Sequence, residues 1–296
     1  MFTPYYLTVI FLTLICLIIN SFLIYFASKL SFKGFDIKLI LTLASLEFLI
    51  PIAVFSDLIY YFINGYKLIE IQYGCTFYGL IVLIIYHYEI MLNSLLSMER
   101  LAKIKKSVLF DYAYYPVIID LIISTILSVG CASINLFNTS SAKISCLLNV
   151  TNSILASVTY HYSLLSCFIA VGLLVYSYYC IAAEISGFEE IMSAELEANS
   201  ETSNRKWSTS LKKASLKVYL ILTIYGTCML GSLISLFLET TLKYKYGDTF
   251  EYSEYLIYTA TLLFILGMIF NALLILALHS GIANEVKCFI QIVHNK

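Results

Sequence analysis

TFYGLIVLIIYHYEIMLNSLLSMERLAKIKK, residues 76–106, decides how this chain has to be read. It begins as an apolar run and closes on Glu99, Arg100, Lys103, Lys105 and Lys106. Within it Glu89, Asn93, Leu96 and Arg100 are spaced i, i+4, i+7, i+11, which is one face of a helix. Only Leu96 on that face is apolar, so the face must meet protein or trapped water rather than lipid. A segment greasy enough for a bilayer yet polar along one stripe needs other spans around it.

The rest of the chain supplies them. Of 296 residues, 60% are hydrophobic and 12% charged, with a mean hydropathy of +0.86. Soluble domains carry about 25% charged residues, so this composition cannot cover a water-facing surface. The net charge of −1 argues against a nucleic-acid partner. A helix needs roughly 20 mainly apolar residues to cross the hydrocarbon. Seven stretches qualify, at approximately 5–27, 38–62, 76–98, 116–137, 157–182, 216–239 and 254–278. Alternating ten-residue strands, the mark of a membrane barrel, are absent. The expected fold is an all-α membrane protein, one seven-helix domain over residues 1–296.

Orientation follows from the basic residues. With the N-terminus outside and the C-terminus cytoplasmic, the inner segments hold Lys29, Lys33, Lys38, Arg100, Lys103, Lys105, Lys106, Arg205, Lys206, Lys212, Lys213, Lys217, Lys287 and Lys296, leaving only Lys67, Lys143, Lys243 and Lys245 of the 18 outside. Two glycosylation sequons agree, at Asn138 and Asn149, both in the loop after the fourth span. Nothing basic precedes Tyr5, so residues 5–27 read as a first span rather than a cleaved signal peptide. Residues 183–215 form the long cytoplasmic loop, acidic first and then basic. The basic half reads either as a helical extension of the sixth span at the membrane surface or as a solvated loop.

Cys16, Cys131, Cys167, Cys180 and Cys228 fall within spans and read as small buried apolar residues. Cys75 and Cys146 both face the oxidising side, where a disulfide between them is the expectation and two free thiols the alternative. Glu47, Asp57 and Glu89 lie inside apolar spans, where an ionised group costs at least about 2.5–3.5 kcal/mol and therefore turns inward. Asn20 and Asn271 are further mid-span polar residues that could join Glu47, Glu89 and Asn93. Such a cluster either hydrogen-bonds helices into register or forms a hydrated pocket for a cation or proton.

Several of these residues carry a resemblance. Cys75 precedes Arg100 by 25 residues, Met98-Glu99-Arg100-Leu101 resembles the acid-Arg motif of rhodopsin-like G-protein-coupled receptors, and Leu43-Ala44-Ser45-Leu46-Glu47-Phe48-Leu49 resembles their L-A-x-x-D-L-L pattern in helix two. Asn20, 27 residues before Glu47, and Asn271 resemble their asparagines in helices one and seven. The helix-four tryptophan and the prolines of helices five to seven are missing. The Met98–Ala102 end of helix three and the tiny N-terminus are more similar to the nematode chemosensory serpentine receptors of the class A, AB, B and E superfamily. The resemblance implies a small-molecule ligand and a heterotrimeric G protein as partners, no cofactor, and a multi-pass protein of the cell membrane, in a sensory cell if the narrower likeness holds. It also implies that Glu99 restrains Arg100 until activation frees it.

By the same resemblance the ligand meets the outer third of helix three, where Tyr78, Val82 and Tyr86 share a face, with Tyr86, His87, Tyr160 and His161 as aromatic and hydrogen-bonding walls. Val82 stands where amine receptors carry an aspartate, which disfavours an amine. Residues 279–296 form a cytoplasmic tail whose Ile282, Val286, Phe289, Ile290 and Val293 make an amphipathic stripe for the membrane lipids. Cys288 beside it is a candidate for palmitoylation. No catalytic set or metal-ligand cluster is visible, so an enzyme is not expected. The rival reading is a secondary transporter using Glu47 and Glu89, although no repeats or Gly/Pro-broken spans support it. The charge asymmetry predicts that an N-terminal epitope tag is reached by antibody on intact cells and a C-terminal tag only after permeabilisation. The reverse staining pattern refutes this topology.

Overall fold

The computed structural model describes residues 4–30, 34–65, 67–105, 109–139, 146–148, 150, 153–198, 220, 223–242, 253–279, 281–282 and 284–286. Seven helices in it are long and apolar enough to cross a membrane. They are α1 (Pro4–Ser28), α2 (Phe35–Asn64), α3 (Gln72–Lys105), α4 (Leu109–Ser133), α5 (Ile154–Ala198), α6 (Thr223–Leu242) and α7 (Ser253–Leu278). A 3-10 turn at Leu68–Glu70 joins α2 to α3, and two short strands, β1 (Phe137–Thr139) and β2 (Cys146–Leu148), pair antiparallel between α4 and α5.

The helices are apolar nearly all round, so periodicity alone does not say which face turns inward. Packing does. On α1, Leu7, Phe11, Leu14, Ile18 and Phe22 are exposed along one face, while Val9, Thr13, Cys16, Asn20 and Leu23 are buried along the other. The buried face is the one that carries the polar and small residues, as expected where lipid rather than water is the outer solvent. Helix α3 is central. It packs against α2, α4 and α5, and every residue from Glu89 to Ser97 is buried. Helix α1 packs against α2 and α7.

One end of the bundle is built around the start of α3. Cys75 is disulfide-bonded to Cys146 of β2, with the Cα atoms 5.3 Å apart. Gln72 Nε2 donates to the carbonyl of Phe137 at 2.9 Å, and Phe137 is packed so closely on Gly79 that a Cβ there would strike its ring. Ile69, Cys75, Cys131, Phe137 and Cys146 form a small buried cluster of their own beneath the hairpin. Asp57 belongs to this end as well: its carboxylate accepts the backbone N–H of Ile69 at 3.2 Å.

Several features differ from the sequence reading: α3 runs on to Lys105 rather than ending at 98, and α4 starts at Leu109 rather than at 116. The fourth span ends at Ser133 rather than at 137, because Asn135 turns the chain with φ 54 and the amide of Leu136 folds back on the Cys131 carbonyl at 3.0 Å. Helix α5 continues to Ala198, well past residue 182, so the first half of the 183–215 loop is helical; residues 199–219 lie outside the described residues. Ile282 is fully buried and Val286 packs on the same core, so this part of the tail faces the bundle rather than lying along a membrane surface. Phe289, Ile290, Val293 and Cys288 lie outside the described residues.

The disulfide closes a segment of 71 residues, which by loop entropy stabilises the fold by about 4 kcal/mol. Replacing Cys75 and Cys146 together by serine is expected to lower the melting temperature in detergent by about 10 °C. An unchanged melting curve refutes that role.

Candidate functional site

The polar stripe of α3 lies among polar groups of α1, α2, α5, α6 and α7 at successive depths. Deepest in the bundle stand Glu47, Glu89, Asn20, Asn93 and Asn271, all buried. Asn271 Nδ2 of α7 donates to Glu47 Oε1 of α2 at 2.9 Å. Asn20 lies beside Glu47 but commits its Nδ2 to the Cys16 carbonyl at 3.2 Å. Asn93 Nδ2 donates to the Tyr225 hydroxyl of α6 at 2.9 Å and to the Glu89 carbonyl at 3.1 Å. Glu47 Oε2, Asn20 Oδ1 and both carboxyl oxygens of Glu89 have no partner within the described protein. The two glutamates lie near enough to repel each other electrostatically. Two ionised carboxyls at that range in low dielectric are untenable without a counter-charge. Pro51 sits one turn beyond Glu47 and removes the amide that would otherwise satisfy the Glu47 carbonyl.

Nearer the disulfide end, Tyr86 links three helices. Its hydroxyl donates to Ser232 Oγ of α6 at 3.2 Å, Ser232 donates to the Ala260 carbonyl of α7 at 2.9 Å, and its ring lies 4.5 Å from that of Phe264. Tyr78 and Val82 are half-buried on the same side of α3. Tyr160 of α5 donates to the Leu236 carbonyl of α6 at 2.7 Å.

Neither histidine joins that group. His87 is fully buried against α4 and α5, where Nε2 meets Asp120 Oδ2 at 2.7 Å. Its neighbour Tyr86 points elsewhere because consecutive helical residues do not share a face. His161 is exposed on α5, with Nδ1 donating to the Ser157 carbonyl at 2.7 Å. It fills its own helix's carbonyl instead of facing the interior.

At the opposite end of α3 the expected Glu99–Arg100 pair is not formed. Adjacent residues on a helix diverge, and Glu99 is instead placed to reach the next turn. Its Oε1 meets Lys103 Nζ at 2.5 Å, and Lys103 also reaches Asp36 of α2 at 3.6 Å. Asp36 in turn accepts from His279, just after α7, at 3.3 Å. Arg100 Nη1 donates to the Tyr178 hydroxyl of α5 at 2.9 Å. Lys105 pairs with Glu184 of α5 at 3.3 Å. Lys103 is largely exposed, and pairs of this kind contribute roughly 0–1 kcal/mol each.

Sequence reasoning missed Asp120, Tyr162, Tyr178 and Tyr225. Asp120 carried the same signal that singled out Glu47 and Glu89, a carboxylate inside an apolar span. The tyrosines carried none, being 3 of 25. Of the sequons, Asn138 is exposed on β1, and Asn149 lies outside the described residues.

Removing the Asn271 amide strands Glu47. Asn271→Ala is therefore expected to cost about 1–3 kcal/mol, read as a lower melting temperature in detergent, while Glu47→Gln, which keeps the bond, stays near wild type. Equal losses for both changes would refute a role confined to hydrogen bonding.

No family model matches the sequence, and no curated protein matches it either. Among solved structures, the crystal structure of squid rhodopsin superposes with a TM-score of 0.65, over 98% of this chain and 86% of that one, at 16% sequence identity. What the two share at that identity is the fold, a rhodopsin-like bundle of seven membrane-spanning helices.

Proposed function

We propose that this chain is a G-protein-coupled receptor, chemosensory in role, that binds a small molecule in the disulfide-bonded half of the bundle and activates a heterotrimeric G protein through the Arg100 end of α3. The N-terminus and the Cys75–Cys146 hairpin lie outside and Arg100 inside, on a cell membrane. The narrower likeness to the nematode serpentine receptors rests on the Met98–Ala102 motif, the short N-terminal segment and the missing prolines. Asn138 and Asn149 are glycosylated in this reading, and Cys288 carries a palmitoyl group.

One observation carries the reading. Arg100 sits about 37 Å along α3 from Cys75, and its guanidinium is held within the bundle by the Tyr178 hydroxyl rather than by an acid. A neutral hydrogen-bond partner can be exchanged for a partner protein's groups without stranding a buried counter-charge. At the other end Tyr78, Val82, Tyr86 and Tyr160 supply the ligand-facing wall. His87 and His161 drop out of it because both are committed elsewhere. Tyr86 bonds α6 and packs its ring on Phe264 of α7, so a ligand competing for its hydroxyl would loosen α3 from both.

The test requires no ligand. Basal G-protein dissociation is compared in wild type, Glu99→Gln, Tyr178→Phe and Arg100→Ala at matched surface expression. Tyr178→Phe and Glu99→Gln are expected to raise basal signal, and Arg100→Ala to abolish it. Basal signal indifferent to Arg100→Ala overturns the mechanism and favours a transporter running on Glu47 and Glu89, for which both carboxyl oxygens of Glu89 lack a partner among the described residues.

A further inference from the structure

A second buried group, apart from the Glu47–Glu89 centre and from the Tyr86 wall, lies where α3, α4 and α5 meet. His87 Nε2 is 2.7 Å from Asp120 Oδ2. Tyr162 donates its hydroxyl to the other oxygen, Asp120 Oδ1, at 2.7 Å. On the far side of the imidazole, Cys167 Sγ lies 3.5 Å from His87 Nδ1. With Nε2–H given to Asp120, Nδ1 presents its lone pair to the thiol. Thiol, imidazole and carboxylate thus stand in line, the order that makes a cysteine nucleophilic. Two other buried thiols are set differently: Cys16 receives the Asn20 amide and Cys131 meets Thr159.

Position decides what such a thiol could meet. Cys167 stands about 20 Å along α5 from Ile154, deep within the span. His87 and Cys167 are buried, whereas the Asp120 side chain is 16% exposed beside the exposed Ile119 and Ile123 of α4. Any reagent arriving there comes through hydrocarbon and has to be apolar and uncharged. We propose that Cys167 is a covalent capture site for apolar α,β-unsaturated carbonyl compounds, with His87 as its base and Asp120 and Tyr162 as positioning residues.

The step balances without a further reagent. Sulfur attacks the β-carbon while the thiol proton passes to His87 Nδ1, so no isolated thiolate forms in low dielectric. The S–C bond forms, the alkene π pair moves toward the carbonyl oxygen as an enolate, and the imidazolium returns the proton to the α-carbon. Nothing leaves, nothing is oxidised or reduced, and His87 ends neutral. Asp120 opposes the transient imidazolium charge and holds the ring in the required tautomer. This assignment does not depend on the receptor reading.

The test treats the full-length protein in lipid nanodiscs with trans-2-nonenal, traps adducts with borohydride and maps them by peptide mass spectrometry. Half-buried Cys180 controls for delivery of the reagent. Cys167 is expected to react faster than Cys16 and Cys131 by at least about tenfold, the low side of what a general base supplies. The same factor is expected to be lost in His87→Gln and in Asp120→Asn, each compared at matched melting temperature. Asp120→Asn preserves the hydrogen-bonding shape and carries the test alone if His87→Gln does not fold. Cys167 left unmodified while Cys180 reacts, or modified equally fast in Asp120→Asn, overturns the proposal and leaves the group a structural tie between helices.

Discussion

The organising constraint is that the polar face of α3 has to be enclosed. Hydrocarbon offers no hydrogen bonds, so each polar group at membrane depth must find a partner inside the protein or stay costly. Glu89, Asn93 and Arg100 on one face, with His87 on another, leave α3 no lipid-facing side over much of its length. The helix is consequently the axis of the bundle, with α2, α4 and α5 packed on it and α6 bonded to it through Tyr225 and Ser232. The outer helices can then show Leu, Ile and Phe to lipid at no penalty.

Along that axis the bonding changes character with depth. At the disulfide end a covalent link, the Gln72 amide and a tight Phe137–Gly79 contact make a rigid lid. In the middle, some groups are satisfied across helices and others are not: Asn271 holds one oxygen of Glu47 while the Glu89 carboxyl has no partner among the described residues. At the far end, the chain Glu99–Lys103–Asp36–His279 ties α2, α3 and the segment after α7 through partly exposed ions. Exposed ion pairs are weak and exchangeable, and one neutral bond holds Arg100.

The His87–Asp120 pair, with the imidazole buried and the carboxylate partly so, follows a different logic. Taking both groups out of water is expensive unless every lone pair is answered. Here Tyr162 answers the second carboxylate oxygen, and Cys167 occupies the second imidazole nitrogen. A group satisfied this completely ties three helices together whatever else it does, and the thiol at its end is the member with chemistry to spare.

Composition and the positions of the apolar runs were enough to settle seven helices, because span length is dictated by bilayer thickness and is readable one residue at a time. Burial of Glu47 and Glu89 was legible for the same reason, since a carboxylate at membrane depth has only one direction to turn. Partner choice was not legible. Glu99 beside Arg100 in the chain suggested a pair, yet helical geometry sends it to Lys103, and Arg100 finds a tyrosine 78 residues away. His87 beside Tyr86 suggested a shared wall, yet the two sit on different faces and serve different helices. Sequence determines that a polar group in hydrocarbon needs a partner. Which partner it takes depends on the rotation of each helix about its own axis, and in a chain apolar on every side only tertiary packing decides that.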